Sequence, residues 1–212
     1  MTPTSIPDSA AHASVAALEV QSLSSAVVEP TSFTLQAGEC VAIRGVSGAG
    51  KTRLLRLIAD LDPGQGEVLL YGQARGRMPA PLWRRQVVYQ GAESNWWENT
   101  AAAHFSVQQL PFVHDLLPRL ALTPDRLEAD ITQLSTGERQ RMALIRSLAV
   151  TPRVLLLDEP TSALDADNVR RVEAVLAERM QAGLVILIVT HSEEQGLRMA
   201  GRDIEIHKRS QP

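Results

Sequence analysis

The chain has 212 residues, 44% of them hydrophobic and 21% charged, which is enough apolar material for one large domain with its own core. A formal net charge of −3 without any long basic stripe argues against a nucleic-acid binder. One cysteine, Cys40, stands in an apolar run, so a disulfide within the chain is excluded and a buried, inert thiol in a reducing compartment is expected.

The opening MTPTSIPDSAAHAS lacks the basic and apolar regions of a secretory signal. Its Pro, Ser and Ala content predicts a loose tail over residues 1–14, followed by a single domain over 15–212. ALEV, SFTL and ECVAIRG read as strands before residue 46. TRLLRLIADL reads as a helix with Leu54, Leu57, Ile58 and Leu61 on one face. GEVLLYG and QVVYQ are further strands, and residues 99–129 are helix-like, broken at Pro111, Pro118 and Pro124. GERQRMALIRSLAV predicts a helix ending before Pro152, and another helix reaches about residue 182. RVLLLDE and LVILIVTH are continuously apolar, as in parallel strands buried on both faces. The longest apolar run, LVILIV, is of strand length and far short of the roughly 18–20 residues a membrane span needs. The alternation predicts an α/β fold with a helical insert near 91–150.

GVSGAGKT, Gly45 to Thr52, matches GxxxxGK(S/T) between a strand and a helix. Glycines at this spacing let successive backbone N–H groups turn toward phosphate oxygens at a helix N-terminus. Gly45, Ser47, Gly48, Ala49, Gly50, Lys51 and Thr52 are therefore candidate nucleotide ligands, with Lys51 between the β- and γ-phosphates and Thr52 on Mg²⁺. VLLLDEP ends a buried strand on two carboxylates: Asp158 as a metal ligand and Glu159 as a general base for the attacking water.

These motifs, together with Gln90 after a strand, LSTGERQR at 134–141, LLLDEPTSALD at 155–165 and His191 after LVILIVT, make the chain resemble the nucleotide-binding domains of ABC ATPases over about residues 18–207. The resemblance implies a P-loop NTPase fold with a RecA-like parallel-sheet core, an antiparallel β subdomain and a helical subdomain. It implies that Gln90 links the nucleotide's Mg²⁺ and water to the helical subdomain. Ser135 and Gly137 would meet the γ-phosphate of ATP held by a second copy, Asp165 would cross the dimer interface, and His191 would steady the water beside Glu159. Two copies would sandwich two ATP molecules, and a separate transmembrane permease would carry the spans. That places the chain in the cytoplasm, on the inner face of the plasma membrane, reaching the membrane only through the permease. The compact length resembles bacterial ATPases of metal-linked export systems. The competing reading is a soluble ABC ATPase serving assembly or repair without a permease.

Ser135 and Glu138 also fit a capping box, S-x-x-E, which would start the next helix. The family's usual LSGGQ is LSTGE here, so Thr136 stands where a glycine would allow close approach to phosphate. The stacking aromatic that the family places before the phosphate loop is missing near Ala26, and Val27 or Val28 is expected to hold adenine, with weak base selectivity. In QGAESNWWENT two of the chain's three Trp sit side by side among polar residues. One could pack into the helical insert while the other covers it. Exposed aromatics in a polar rim are also the composition of an interface hot spot, so the permease is expected to dock near Trp96 and Trp97.

Overall fold

A computed structural model describes residues 15–208, so the tail expected over 1–14 lies outside the described residues. Among the described residues, nine strands form two sheets. β1 (Leu18–Ser24), β2 (Thr31–Leu35), β4 (Gln65–Leu70) and β5 (Gln73–Ala74) make an antiparallel sheet in the order β2-β1-β4-β5. β3 (Cys40–Arg44), β6 (Val87–Gln90), β7 (Val154–Asp158), β8 (Val185–Val189) and β9 (Arg202–Glu205) make an all-parallel sheet in the order β6-β7-β8-β3-β9.

The apolar runs occupy the middle of the parallel sheet because both of its faces are covered. Val154 and Leu156 of β7 and Val185 and Leu187 of β8 face one core, with α1 (Lys51–Ile58), Trp83 and the antiparallel sheet. Leu155 and Leu157, with Ile186 and Ile188, face a second core, with α3 (Leu110–Arg119), α5 (Thr136–Ala149) and α6 (Ala166–Gln181). The two-residue period of a strand sends alternate side chains to opposite layers, so β7 and β8 are apolar along their length apart from Asp158 at the C-terminal end of β7. Removing one such side chain, as in Leu156→Ala, would cost about 2–5 kcal/mol.

Three local expectations change. α1 stops at Ile58, and Leu61 is exposed rather than part of the buried face, because Asp60 takes a left-handed φ of 61° and turns the chain. Pro111 sits in the first turn of α3, where its missing N–H costs nothing, and Pro118 lies one residue from the helix end, so α3 runs unbroken between them. A helix not read from the sequence, α2 (Ala80–Gln86), buries Trp83, whose indole N–H donates to the Ile58 carbonyl at 3.0 Å. α4 (Asp125–Glu128) and α7 (Glu193–Met199) complete the helices longer than three residues. No helix among the described residues is long and apolar enough to cross a membrane.

Candidate functional site

The phosphate loop hangs between the C-terminal end of β3 and the N-terminus of α1. Two of its glycines are required by space as well as by backbone conformation. At Gly45, φ 149°, a Cβ would come within 2.4 Å of the Ile206 carbonyl oxygen. At Gly50, φ 97°, which caps α1, a Cβ would meet Val28 Cγ2 at 2.9 Å. Lys51 folds back over the loop, its ammonium donating to the carbonyls of Gly45 at 2.7 Å and Val46 at 3.3 Å. A cation at a helix N-terminus opposes the helix dipole, so its placement here suits an anion brought to the same spot.

Opposite the loop stand the ends of β7 and β8. Thr52 Oγ1 donates to Asp158 Oδ2 at 2.7 Å, and the Tyr89 hydroxyl donates to the same oxygen at 3.1 Å. Desolvation and the neighbouring Asp158 charge push the Tyr89 phenol up to about 12, so it stays a donor. Glu159 has a left-handed φ of 51°, an uncommon conformation for a non-glycine residue and one that recurs at functional sites. Burial raises its carboxyl above the ordinary range, against the pull of the His191 backbone N–H, which donates to Oε2 at 3.3 Å. The His191 ring, itself largely exposed, brings Nε2 to 3.4 Å from Glu159 Oε1. Gln90 is buried at the end of β6 with neither amide atom hydrogen-bonded. Ala92, rather than Gln90, lines the cleft there.

One cleft of about 730 Å³ thus brings together Ser47, Gly48, Gly50, Lys51, Thr52, Asp158, Glu159 and His191. Ala49 is buried beneath the loop, and Gly45 begins it against Ile206. Val27 joins the cleft wall, whereas Val28 turns into the core, so of the two valines only Val27 lines the cleft.

The second group of expected residues lies elsewhere. Ser135 caps α5 and accepts from the Glu138 N–H at 3.2 Å, while Glu138 accepts from the Ser135 N–H at 2.8 Å, completing the capping box. Gly137 lies under the following loop, where a Cβ would stand 3.1 Å from both the Ala163 carbonyl oxygen and Leu164 Cδ2. Asp165 caps α6 by accepting from the Asn168 N–H at 2.8 Å. Ser135, Gly137 and Asp165 line a separate cleft of about 540 Å³ that contains no phosphate-loop residue.

The two tryptophans differ in burial. Trp96 packs against the helical core, and Trp97 is 71% exposed. The Arg146 guanidinium lies 4.2 Å from one ring centre and 4.9 Å from the other, and His104 meets both rings edge-on. Arg146 also donates to the Asn95 carbonyl at 2.9 Å, which holds the loop down.

Four residues joined to this machinery were not singled out by the sequence reading. They are Tyr89, Arg53, which lines the cleft with a nitrogen 2.6 Å from Asp62, Gln140 and Gln195. Tyr89 adjoins Gln90 and could have been found by register. The glutamines carry no local signal, because their partners come from other elements.

A protein-family profile described as ABC transporter matches residues 28–162. The chain is 36% identical over 184 residues to the taurine import ATP-binding protein TauB of Shigella flexneri, covering 82% of this chain and 71% of that one. It is 34% identical over 179 residues to the probable iron export ATP-binding protein FetA of Escherichia coli, covering 80% of each. A solved ATP-binding subunit of an ABC transporter superposes with a TM-score of 0.81 at 25% identity, over 90% of this chain and 85% of that one. A dimeric ATP-binding cassette in a post-hydrolysis state, bound to ADP and Pi, shares the fold with a TM-score of 0.76 at 22% identity, over 90% of this chain and 94% of that one.

Proposed function

The chain belongs to the ABC transporter family, as an ATP-binding and ATP-hydrolysing domain, and from that membership we propose that it drives a separately encoded permease through ATP-dependent pairing of two copies. Residues 15–212 act as one ATPase domain, with about 91–150 as its helical part. The observation that carries the reading is the split of the site into two clefts. Lys51, Thr52, Asp158, Glu159 and His191 share one, and Ser135, Gly137 and Asp165 share the other. A nucleotide in the first cleft is completed by the second cleft of another copy.

In the proposed mechanism, backbone N–H groups of residues 47–52 and the Lys51 ammonium hold the β- and γ-phosphates. Glu159 takes a proton from the attacking water, and burial, by raising its carboxyl above the ordinary range, makes it a stronger base. His191 orients that carboxylate through the contacts at 3.3 and 3.4 Å and reaches the γ-phosphate with its exposed ring. Mg²⁺ would be held by the oxygen donors of Thr52 and Asp158, with Gln90, buried and without a partner for its amide, as a further candidate outside the cleft lining, and would supply charge neutralisation to the bound phosphates. Thr136 sits exposed at the start of α5, where a phosphate approaching the helix end would meet its side chain.

The permease docks beside Trp96 and Trp97 on the cytoplasmic face of the membrane, with Trp97 as the exposed anchor. Cargo belongs to the permease. Relatives named for taurine import and iron export are nearly equally similar. The even coverage with the iron-export relative favours a compact, metal-linked exporter. The deciding experiment is ATP turnover of the purified chain, alone and with any membrane protein that co-purifies. Turnover stimulated by that partner supports the reading, and no turnover in either state overturns it.

A further inference from the structure

Gln195 is 1% exposed and lies on α7, yet its side chain touches neither a nucleotide ligand nor a metal ligand. Its Oε1 accepts two hydrogen bonds at 2.9 Å, from Thr161 Oγ1 and from Thr190 Oγ1. Thr161 follows Glu159 by two residues on the segment leading to Asp165, and Thr190 immediately precedes His191. One buried oxygen therefore ties the end of β7 to the end of β8 at the point where the base and the histidine leave the sheet. The Thr190 hydroxyl also accepts from the Ser192 N–H at 3.1 Å, and Ser192 caps α7 by accepting from the Gln195 N–H at 3.2 Å. A second buried glutamine, Gln140 of α5, grips the same segment from the other side through the Glu159 carbonyl at 2.8 Å and Ser162 Oγ at 3.3 Å.

The side chains that need this support are poorly held by themselves. Glu159 keeps a left-handed backbone, and the His191 ring is 81% exposed. Such a conformation persists only where its surroundings over-determine it. The Gln195 Nε2 is buried without a partner, a destabilising feature that is unusual for a residue serving packing alone.

We propose that Gln195 is a positioning residue for hydrolysis, holding Glu159 and His191 in register through the hydroxyls of Thr161 and Thr190. The inference rests on the ATP-hydrolase reading above. Its role is in alignment and not in nucleotide affinity, so it acts on kcat and leaves binding alone.

The test compares the wild-type chain, with any co-purifying permease, against Gln195→Leu, Gln195→Glu and Thr161→Val. Nucleotide Kd, kcat, KM and Tm are measured for each. Gln195→Leu should lower kcat by about tenfold to about a hundredfold, the scale of a misplaced reacting group, with Kd for ATP within about twofold of wild type. Gln195→Glu keeps an acceptor oxygen and should hold kcat within about threefold. Thr161→Val, which removes one of the two donors, should fall between them. A folded Gln195→Leu protein with unchanged kcat overturns the proposal, as does a loss of kcat that Gln195→Glu fails to restore. If Gln195→Leu does not fold, Thr161→Val decides, and an unchanged kcat there overturns it equally. Absence of turnover in the wild type is a different result: it removes the hydrolase reading and this inference with it.

Discussion

Thr52 and Asp158, 106 positions apart in the chain, meet through a 2.7 Å hydrogen bond between a hydroxyl and a carboxylate oxygen. This bond sets the spacing of the two groups proposed to hold Mg²⁺. Asp158→Asn should abolish the Mg²⁺-dependent gain in nucleotide affinity and lower kcat by about a hundredfold or more, while nucleotide binding without metal persists. Titrating Mg²⁺ against a fluorescent nucleotide checks this, and an unchanged Mg²⁺ dependence would count against these ligands.

Glu159 and His191 touch through two contacts, one from the backbone and one from the ring. Glu159→Gln preserves shape and removes the base. It should bind ATP as tightly as wild type and hydrolyse it about 10²–10⁴ times more slowly. Single-turnover measurements separate the two effects, and residual turnover near wild type would remove Glu159 from the role of base.

The tryptophans answer differently to substitution. Trp97 is mostly solvent-exposed, so Trp97→Ala should cost less than about 1 kcal/mol of stability yet weaken permease association. Trp96→Ala opens the helical core and should cost about 3–5 kcal/mol. Arg146→Ala removes the cation from both rings and a bond to Asn95, at a cost of about 1–3 kcal/mol. Co-purification combined with urea unfolding distinguishes them. If Trp97→Ala retains the permease fully, the docking site lies elsewhere.

With Val27 as the residue facing the base, selectivity between ATP and GTP should be no more than a few-fold. Val27→Trp should raise affinity for both by about twofold to about tenfold, from stacking worth about 0.5–1.5 kcal/mol. Competition binding with the two nucleotides tests this, and a strong wild-type preference for ATP would show that another group reads the base.

Burial, with the neighbouring Glu39 charge, pushes the Cys40 thiol up to about 12. The folded state therefore holds this proton more tightly than the unfolded chain does. Below about pH 9 the thiol contributes no pH dependence; from about pH 9 to 12 it subtracts about 1.4 kcal/mol of stability per pH unit. The native thiol should resist alkylation at pH 8 and react once urea unfolds the protein. Comparing urea midpoints of wild type and Cys40→Ala at pH 8 and pH 10 isolates this loss, which the variant should not show.

What could be read in advance depended on how local each cause is. VLLLD and VILIV were legible as strands because burial on both faces makes them continuously apolar up to Asp158 and Val189. The phosphate loop and the Ser135–Glu138 box were legible because glycine geometry and capping act within a few residues. α2 was not, since APLWRRQ is only seven residues long and buries only Trp83, so it shows no stripe. β9 escaped notice because RDIE is a polar edge strand, held by pairing with β3 and by ion pairs from Arg44 to Asp203 and from Arg202 to Glu39, each 2.7 Å. Leu61 differs from its expected buried place because the turn at Asp60 decides which way its side chain points, and turns are the least periodic part of the signal.

The order β6-β7-β8-β3-β9 has a consequence for how the protein is made. β3, which carries the phosphate loop, pairs only with β8 and β9, whose residues run from 185 to 205. Gly45 then rests on Ile206. The phosphate loop is therefore translated before the strands that brace it, and it stays on a strand without those neighbours until residues 185–205 have followed. A nascent polypeptide arrested before residue 185 should bind no ATP.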